Sequence, residues 1–418
     1  MLPSRRHFLQ ATLGSSALVS CGLSVPQFLA RSALAAEVQA KGTKGRGAKD
    51  NVLVVVQLAG GNDGLNTVIP FADDGYARNR FALRVPTEQM LKIDGHVALH
   101  PQLKDLRKLI ESQRVAIVQG VGYPNPDRSH FRSMDIWNSA QRNVEHPRDG
   151  WLGRTLEHGR HQAGFDVPAL HLGSEELPLA LASRQLAVPS VESMDSFRLR
   201  TSDGSVPLST LKTLAEIRRP DASPLLDFLC RSTLNAYAAS QQVQQALVEG
   251  KTATPYPENF GLAKKLKTIA QLIDAGLGTR IYYVSLVGFD THANQAQSHS
   301  NLLRELSESL SAFVADLAAR GHLDRVLVLS FSEFGRRVRE NASQGTDHGT
   351  AAPVFLAGGK VQAGLIGKHP SLSDLDQGDL KFHTDFRSVY AAILDQWLGC
   401  PSQTVLGQKF LPTPVLRA

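Results

Sequence analysis

Five short apolar runs, rich in β-branched residues, punctuate the chain: "NVLVVVQLA" at 51–59, "RVAIVQG" at 114–120, "IYYVSLV" at 281–287, "RVLVLSF" at 325–331 and "PVFLAGG" at 353–359. Runs of this length without polar alternation are expected of strands covered on both faces, as in a parallel sheet. Between them the period changes. In "NLLRELSESLSAFVADLAARG" (301–321), Leu303, Leu306, Leu310, Phe313 and Leu317 step by three and four along one helix face, and Gly321 supplies a stop. Strand runs alternating with amphipathic helices predict an α/β fold with a mostly parallel central sheet flanked by helices.

Residues 201–280 are patterned differently. Two long helical patterns, at 221–250 and 259–276, are separated by the breaker "TATPYPE", and together they predict a helical insertion over about residues 205–278. No internal repeat or low-complexity tract is visible, which argues against solenoids and propellers.

The amino terminus adds a compartment. "SRRHFLQ" (4–10) sets a twin-Arg pair before a mildly apolar stretch and the small residues of "SALAAE", the pattern of a twin-arginine export signal over residues 1–36, cleaved after Ala35 or Ala36. Two alternatives stay open: a retained anchor, although Ser15, Ser16, Gly22 and Pro26 make the stretch less apolar than a typical span, and lipid attachment at Cys21. The export reading places the protein in the periplasm or outside the cell. The twin-arginine machinery is then a partner, and no stable membrane span remains after cleavage. Residues 37–50, Gly- and Lys-rich without periodicity, read as a flexible mature N-terminus, leaving 51–418 as a single domain.

With 418 residues, 42% hydrophobic and 20% charged, the chain has the composition of a globular protein. Of the formal net charge of +6, Arg5, Arg6 and Arg31 lie in the leader, so the remainder carries about +3 and shows no basic stripe. Nucleic acid is therefore not the expected main partner. Once the leader is gone, Cys230 and Cys400 remain, either as two buried small hydrophobes or as a bridge.

In open parallel sheets, functional side chains gather in loops past the carboxyl ends of the strands. Those loops carry Asp63 in "GGNDGLN", Asp290 and His292 in "GFDTH", Glu333 in "SEFGRR", and Asp347 with His348 in "GTDHGT". Carboxylates and imidazoles in this mixture suit a divalent metal ion of unspecified identity. Each has a structural alternative: Asp63 as a turn former, "DTH" as a helix cap, Glu333 paired with Arg336 or Arg337, Asp347 orienting His348. The metal reading requires His292 and His348 to meet in space. A dinucleotide enzyme is disfavoured, since neither "LAGGNDG" nor "VQGVGYPNP" has the G-x-G-x-x-G spacing.

The set "LAGGNDGLNTVIPF", "PDRSHFRSMDIW", "GFDTHANQ", "SEFGRR" and "GTDHGTAAPVFLAGG", together with the leader, is similar to a bacterial family of exported proteins of unknown function within the alkaline phosphatase superfamily, which includes sulfatases. The resemblance spans roughly residues 51–400. It implies an alkaline phosphatase-like core, metal ligation by Asp63, Asp290, His292 and His348, and Ser129 as nucleophile at a helix start. Arg128, Arg336 or Arg337 would hold anionic oxygens of a small-molecule or polymeric phosphate or sulfate ester. The chain departs from the pattern where Glu333-Phe334 replaces the usual Asp-His, and where Asp290 and His292 stand closer than the usual four residues. Both departures argue for one altered metal site over a full two-metal centre, and they admit a non-catalytic metal- or ligand-binding role on the same fold.

Overall fold

The computed structural model describes residues 50–159, 169–184, 186, 188, 190–191 and 252–417. The leader, most of the expected N-terminal linker, Cys230 and the first helical pattern of the expected insertion lie outside these residues.

The five apolar runs all become strands of one nine-stranded sheet. In chain order its strands are β1 (Val52–Ala59), β2 (Val115–Gly122), β3 (Ala169–Leu172), β4 (Ser190–Val191), β5 (Ile281–Val287), β6 (Val326–Phe331), β7 (Ala352–Gly358), β8 (Gly364–Ile366) and β9 (Thr384–Asp385). The spatial order is β8-β2-β7-β6-β1-β5-β3-β4, with β9 also paired to β2. β1 at the centre runs parallel to both β5 and β6, with Val55 opposite Tyr283 on one side and Leu329 on the other. β7 is antiparallel to both of its neighbours, β2 and β6. The sheet is thus mixed and mostly parallel. The reversal of β7 has a spatial effect: the loop that precedes it, holding Asp347 and His348, lies at the rim where the loops following β1, β5 and β6 also end.

Successive residues of β1 point to opposite faces, and each face is covered. Val52, Val54, Val56 and Leu58 pack in a core with the helices α1 (Lys104–Glu111), α4 (Gly261–Asp274) and α5 (Gln295–Ala319). Leu53 and Val55 pack on the other side with α2 (His130–Ser139), α3 (Trp151–Gly159), α6 (Phe386–Ala392) and the π-helical Ile393–Leu398. The apolar stripe expected of α5 is buried as predicted, Leu303, Leu306 and Phe313 being 0% exposed. The helix begins earlier than its apolar stripe, at Gln295, and ends before Gly321, whose φ of +74° is the left-handed conformation that suits glycine. The second helical pattern of the expected insertion, α4, belongs to the core cluster shared with β1 and β5.

α2 matters most for the site. Trp137 stacks between Phe331 (5.1 Å between ring centroids) and Phe386 (4.4 Å), and Ser133 Oγ donates to the Glu333 carbonyl at 2.6 Å. Full burial of such an aromatic stabilises by roughly 1.5–3 kcal/mol, so the helix is seated firmly and its N-terminal turn is fixed at the sheet rim. Cys400 is buried with its thiol free, and burial pushes its pKa up to about 11. Among the described residues no helix is long and apolar enough to cross a membrane.

Candidate metal centre

Sharp turns after β1 and β5 bring the site's loops together. Gly60 sits at φ +118°, and a Cβ there would stand 2.4 Å from the backbone nitrogen of Asp290, so only glycine permits this approach. Asp290 leaves β5 beside that turn and projects a half-exposed carboxylate. Around its Oδ1 lie His292 Nε2 at 3.1 Å, His348 Nε2 at 3.2 Å and His130 Nε2 at 3.4 Å, and the two nitrogens of His292 and His348 are 2.9 Å apart. The pairing of His292 with His348 that the metal reading requires is present.

Each imidazole is held by its other nitrogen. His348 Nδ1 faces the carbonyl oxygen of Arg128 at 2.7 Å; a carbonyl only accepts, so Nδ1 carries the hydrogen and Nε2 presents its lone pair. His130 Nδ1 donates to the buried Glu333 carboxylate at 2.8 Å, and Glu333 also accepts from Gly60 N at 2.9 Å and from Ser332 Oγ at 3.1 Å. His292 Nδ1 donates to Asp347 at 3.2 Å, whose carboxylate is steadied by Asn341 at 3.1 Å. All three Nε2 atoms are left unprotonated in the neutral rings and face Asp290, the arrangement typical of metal-ligating histidines.

The fit of these residues to an ion can be tested on their own atoms. His130 Nε2 is buried without a hydrogen-bond partner, an expense a protein avoids unless something else takes the lone pair. Four ligands at tetrahedral bond lengths of 2.0–2.1 Å stand about 3.3 Å from one another. Four of the six separations among these atoms, 2.9–3.4 Å, match that spacing. Ligand atoms of His130, Asp290 and His348 all lie within 4.8 Å of one another, a group that could hold a metal ion. Three nitrogens and one oxygen suit a zinc-like transition ion better than magnesium or calcium.

Electrostatics agree with an ionised carboxylate at the centre. Burial pushes Asp290 upward, but the hydrogen bond and the charge of the Arg336 guanidinium more than offset it and hold the carboxyl at about 2. The Glu333 hydrogen bond raises His130, whereas burial lowers His348.

The other expected site residues fall elsewhere. Asp63, expected as a ligand, is fully buried in a two-pronged pair with Arg80 (2.5 and 2.9 Å) and accepts from Gln295 at 2.5 Å, so both of its oxygens are engaged. Glu333 and Asp347, expected as ligands, orient His130 and His292 instead; Asp347 serves His292, not its neighbour His348. Arg336, expected to clamp an anion, is buried and donates to the carbonyls of Gly60, Gly61, Phe289 and Thr346 and to Asp290 at 2.7 Å. Arg128 is partly exposed but bonded to the buried Asp379 (Nε at 2.8 Å), and the equally exposed Arg337 Nε lies 3.9 Å from the same carboxylate. Ser129 is exposed at the start of α2 and makes no side-chain cap bond. Its neighbour His130 is the candidate ligand that the sequence reading missed, although it stands in the same stretch, "PDRSHF". Phe334 packs its ring on His130 (4.9 Å) and on His348 (4.7 Å), walling the site on that side. Beyond this ring opens a cleft of about 310 Å³ lined by Tyr123, Pro124, Pro126, Phe334, Lys381 and Phe382.

Fold and site together describe an α/β protein with a histidine-rich candidate metal centre at the rim of a mostly parallel sheet. The sequence profile of the family described as "Protein of unknown function (DUF1501)" matches residues 50–396, and the chain belongs to that family. No curated protein matches it. Similar solved structures include the C-terminal periplasmic domain of EcEptC from Escherichia coli in complex with Zn (9% identity, TM-score 0.37, covering 75% of this chain and 74% of that one). Others are the PsFucS1 sulfatase from Pseudoalteromonas sp. (12%, 0.39, 94% and 77%) and a protein of the alkaline phosphatase superfamily from Vibrio parahaemolyticus (7%, 0.37, 86% and 69%).

Proposed function

We propose that the protein is an exported, metal-dependent hydrolase of phosphate or sulfate esters whose single divalent ion is held by His130, His292, His348 and Asp290. The observation that carries the reading is the convergence of three Nε2 lone pairs on one carboxylate oxygen, each ring fixed by an acceptor at its Nδ1. A bound ion would supply Lewis acidity toward an ester oxygen. The chain's own residues do the rest. Half-exposed Asp290 and His292 keep the centre open to solvent and substrate. Ser129 presents an uncapped hydroxyl at the N-terminus of α2, next to His130, where the helix dipole favours developing negative charge. Arg128 and Arg337, each with about a third of the side chain exposed, offer charge-assisted hydrogen bonds to the remaining anionic oxygens. The apolar cleft past Phe334 gives room for the organic part of an ester. The twin-Arg leader supports export by the twin-arginine route.

Phe334 supports a second reading. Its ring closes one side of the cluster, and the buried Arg336 is fully engaged, so the centre also suits a metal-binding protein without turnover. Elemental analysis of the purified protein, followed by assay on an aryl phosphate and an aryl sulfate with Ser129→Ala as control, separates the two. Hydrolysis lost on chelation and on Ser129→Ala supports the hydrolase. Tightly held metal without hydrolysis supports the binding role.

A further inference from the structure

Arg336 spreads its nitrogens among five oxygens: Nε donates to the carbonyl of Gly61 at the end of β1, Nη1 to that of Thr346 before β7, and three oxygens meet at Nη2, the carbonyls of Gly60 and of Phe289 at the end of β5 and Oδ1 of Asp290. Such an all-oxygen nest is the kind of environment that holds a hard cation. Here a guanidinium fills it, its side chain 0% exposed. The same Oδ1 that faces the three imidazoles therefore also takes a buried, permanently charged donor.

Charge reinforces the point. With neutral imidazoles, the carboxylates of Asp290, Glu333 and Asp347 face the guanidinium of Arg336, bonded to Asp290, and that of Arg337, which acts on Asp347 and is shared with Asp379, so the cluster keeps a net negative charge. One divalent ion takes up that charge, and a second would leave excess positive charge in a partly buried site, which is costly. The carboxylate of Asp63 is likewise matched already, by Arg80.

We propose that Arg336 is a resident cation of the centre, filling an oxygen nest that would otherwise take a metal ion and so limiting the site to one divalent ion. This rests on the metal reading above and adds a physical ground for its single ion, together with the role of a residue that touches a candidate ligand without facing solvent. Arg336 is thus a positioning residue for Asp290.

The test is metal titration of the full mature chain with Zn²⁺, read by calorimetry and elemental analysis, and with Co²⁺, read by paramagnetic resonance. One equivalent of Zn²⁺ and a spectrum of isolated Co²⁺ are expected. Two equivalents, or coupled Co²⁺ ions, overturn the inference while leaving the metal centre standing; no bound metal overturns the metal reading itself. The Arg336→Ala chain supplies a second readout. Its melting temperature is expected to rise on adding Mg²⁺, Ca²⁺ or methylguanidinium, which refill the nest, while the wild-type melting temperature stays in place. A folded Arg336→Ala chain indifferent to all three overturns the role given to the nest. If that variant does not fold, the wild-type stoichiometry and Co²⁺ spectrum decide alone.

Discussion

His348 donates its Nδ1 hydrogen to the backbone carbonyl of Arg128 at 2.7 Å, so a residue just before β7 is oriented by the chain segment that opens α2, 220 positions earlier. Because the acceptor is backbone, its identity does not depend on the Arg128 side chain. Exchanging that side chain tests substrate contact without removing the group that fixes the ring.

Arg128→Ala should leave Zn²⁺ affinity within a fewfold of wild type while weakening anion binding, since its carbonyl persists. The change also strands the buried Asp379 carboxylate, so a loss of stability on the order of 1–3 kcal/mol accompanies it. Chelator competition for the metal, run beside urea denaturation, checks both.

Ligand and support residues should separate by magnitude. His130→Ala, His292→Ala, His348→Ala and Asp290→Asn each remove a donor and should abolish tight binding. Glu333→Gln and Asp347→Asn take the charge from the acceptor at Nδ1 and should lower affinity by roughly 10- to 100-fold. Competitive Zn²⁺ titration of the six variants measures the difference; Glu333→Gln as severe as His130→Ala would make Glu333 a ligand.

Asp63→Asn should leave Zn²⁺ stoichiometry unchanged and unfold the protein more easily. The Asp63–Arg80 pair has both side chains at 0% exposure, and breaking such a pair by removing one partner costs about 3–5 kcal/mol. Denaturant midpoints give the stability and elemental analysis gives the stoichiometry.

Acid should destabilise the fold from an unusually high pH. Burial holds His299 near a pKa of about 3 and His100 near about 4, so both stay neutral in the folded chain well below the ordinary histidine value. In the unfolded chain they titrate near 6.5. Stability is therefore full above about pH 6.5 and is lost progressively as pH falls toward the folded values, by an amount on the order of several kcal/mol for the pair. Melting temperature against pH should slope downward below 6.5. A His299→Gln chain should show a shallower slope, and an unchanged slope would remove His299 from the account.

The strands and the apolar stripe of α5 were legible because burial leaves a period in the sequence: Leu303, Leu306, Leu310, Phe313 and Leu317 can lie on one face of a helix and nowhere else. The direction of β7 was not legible, since an apolar run reads the same for a parallel and an antiparallel strand. Asp290, His292 and His348, chosen for their place at strand ends, lie together in the structure. His130 was hidden by Ser129, whose fitness as a helix start drew the reading one residue short, and its defining partner Glu333 lies 203 positions away. Arg336 and Asp63 are engaged otherwise than expected for one reason: sequence shows that a charge is present but not which opposite charge it is buried against.

The reversal of β7 also has a mechanical consequence. His130, Asp290 and His292 belong to segments that come before this strand, while His348 comes with it, so the proposed ion would have no complete seat without the backward strand between β2 and β6. An ion held there would work as a clasp, fastening the strand that runs against the grain to the neighbours it opposes.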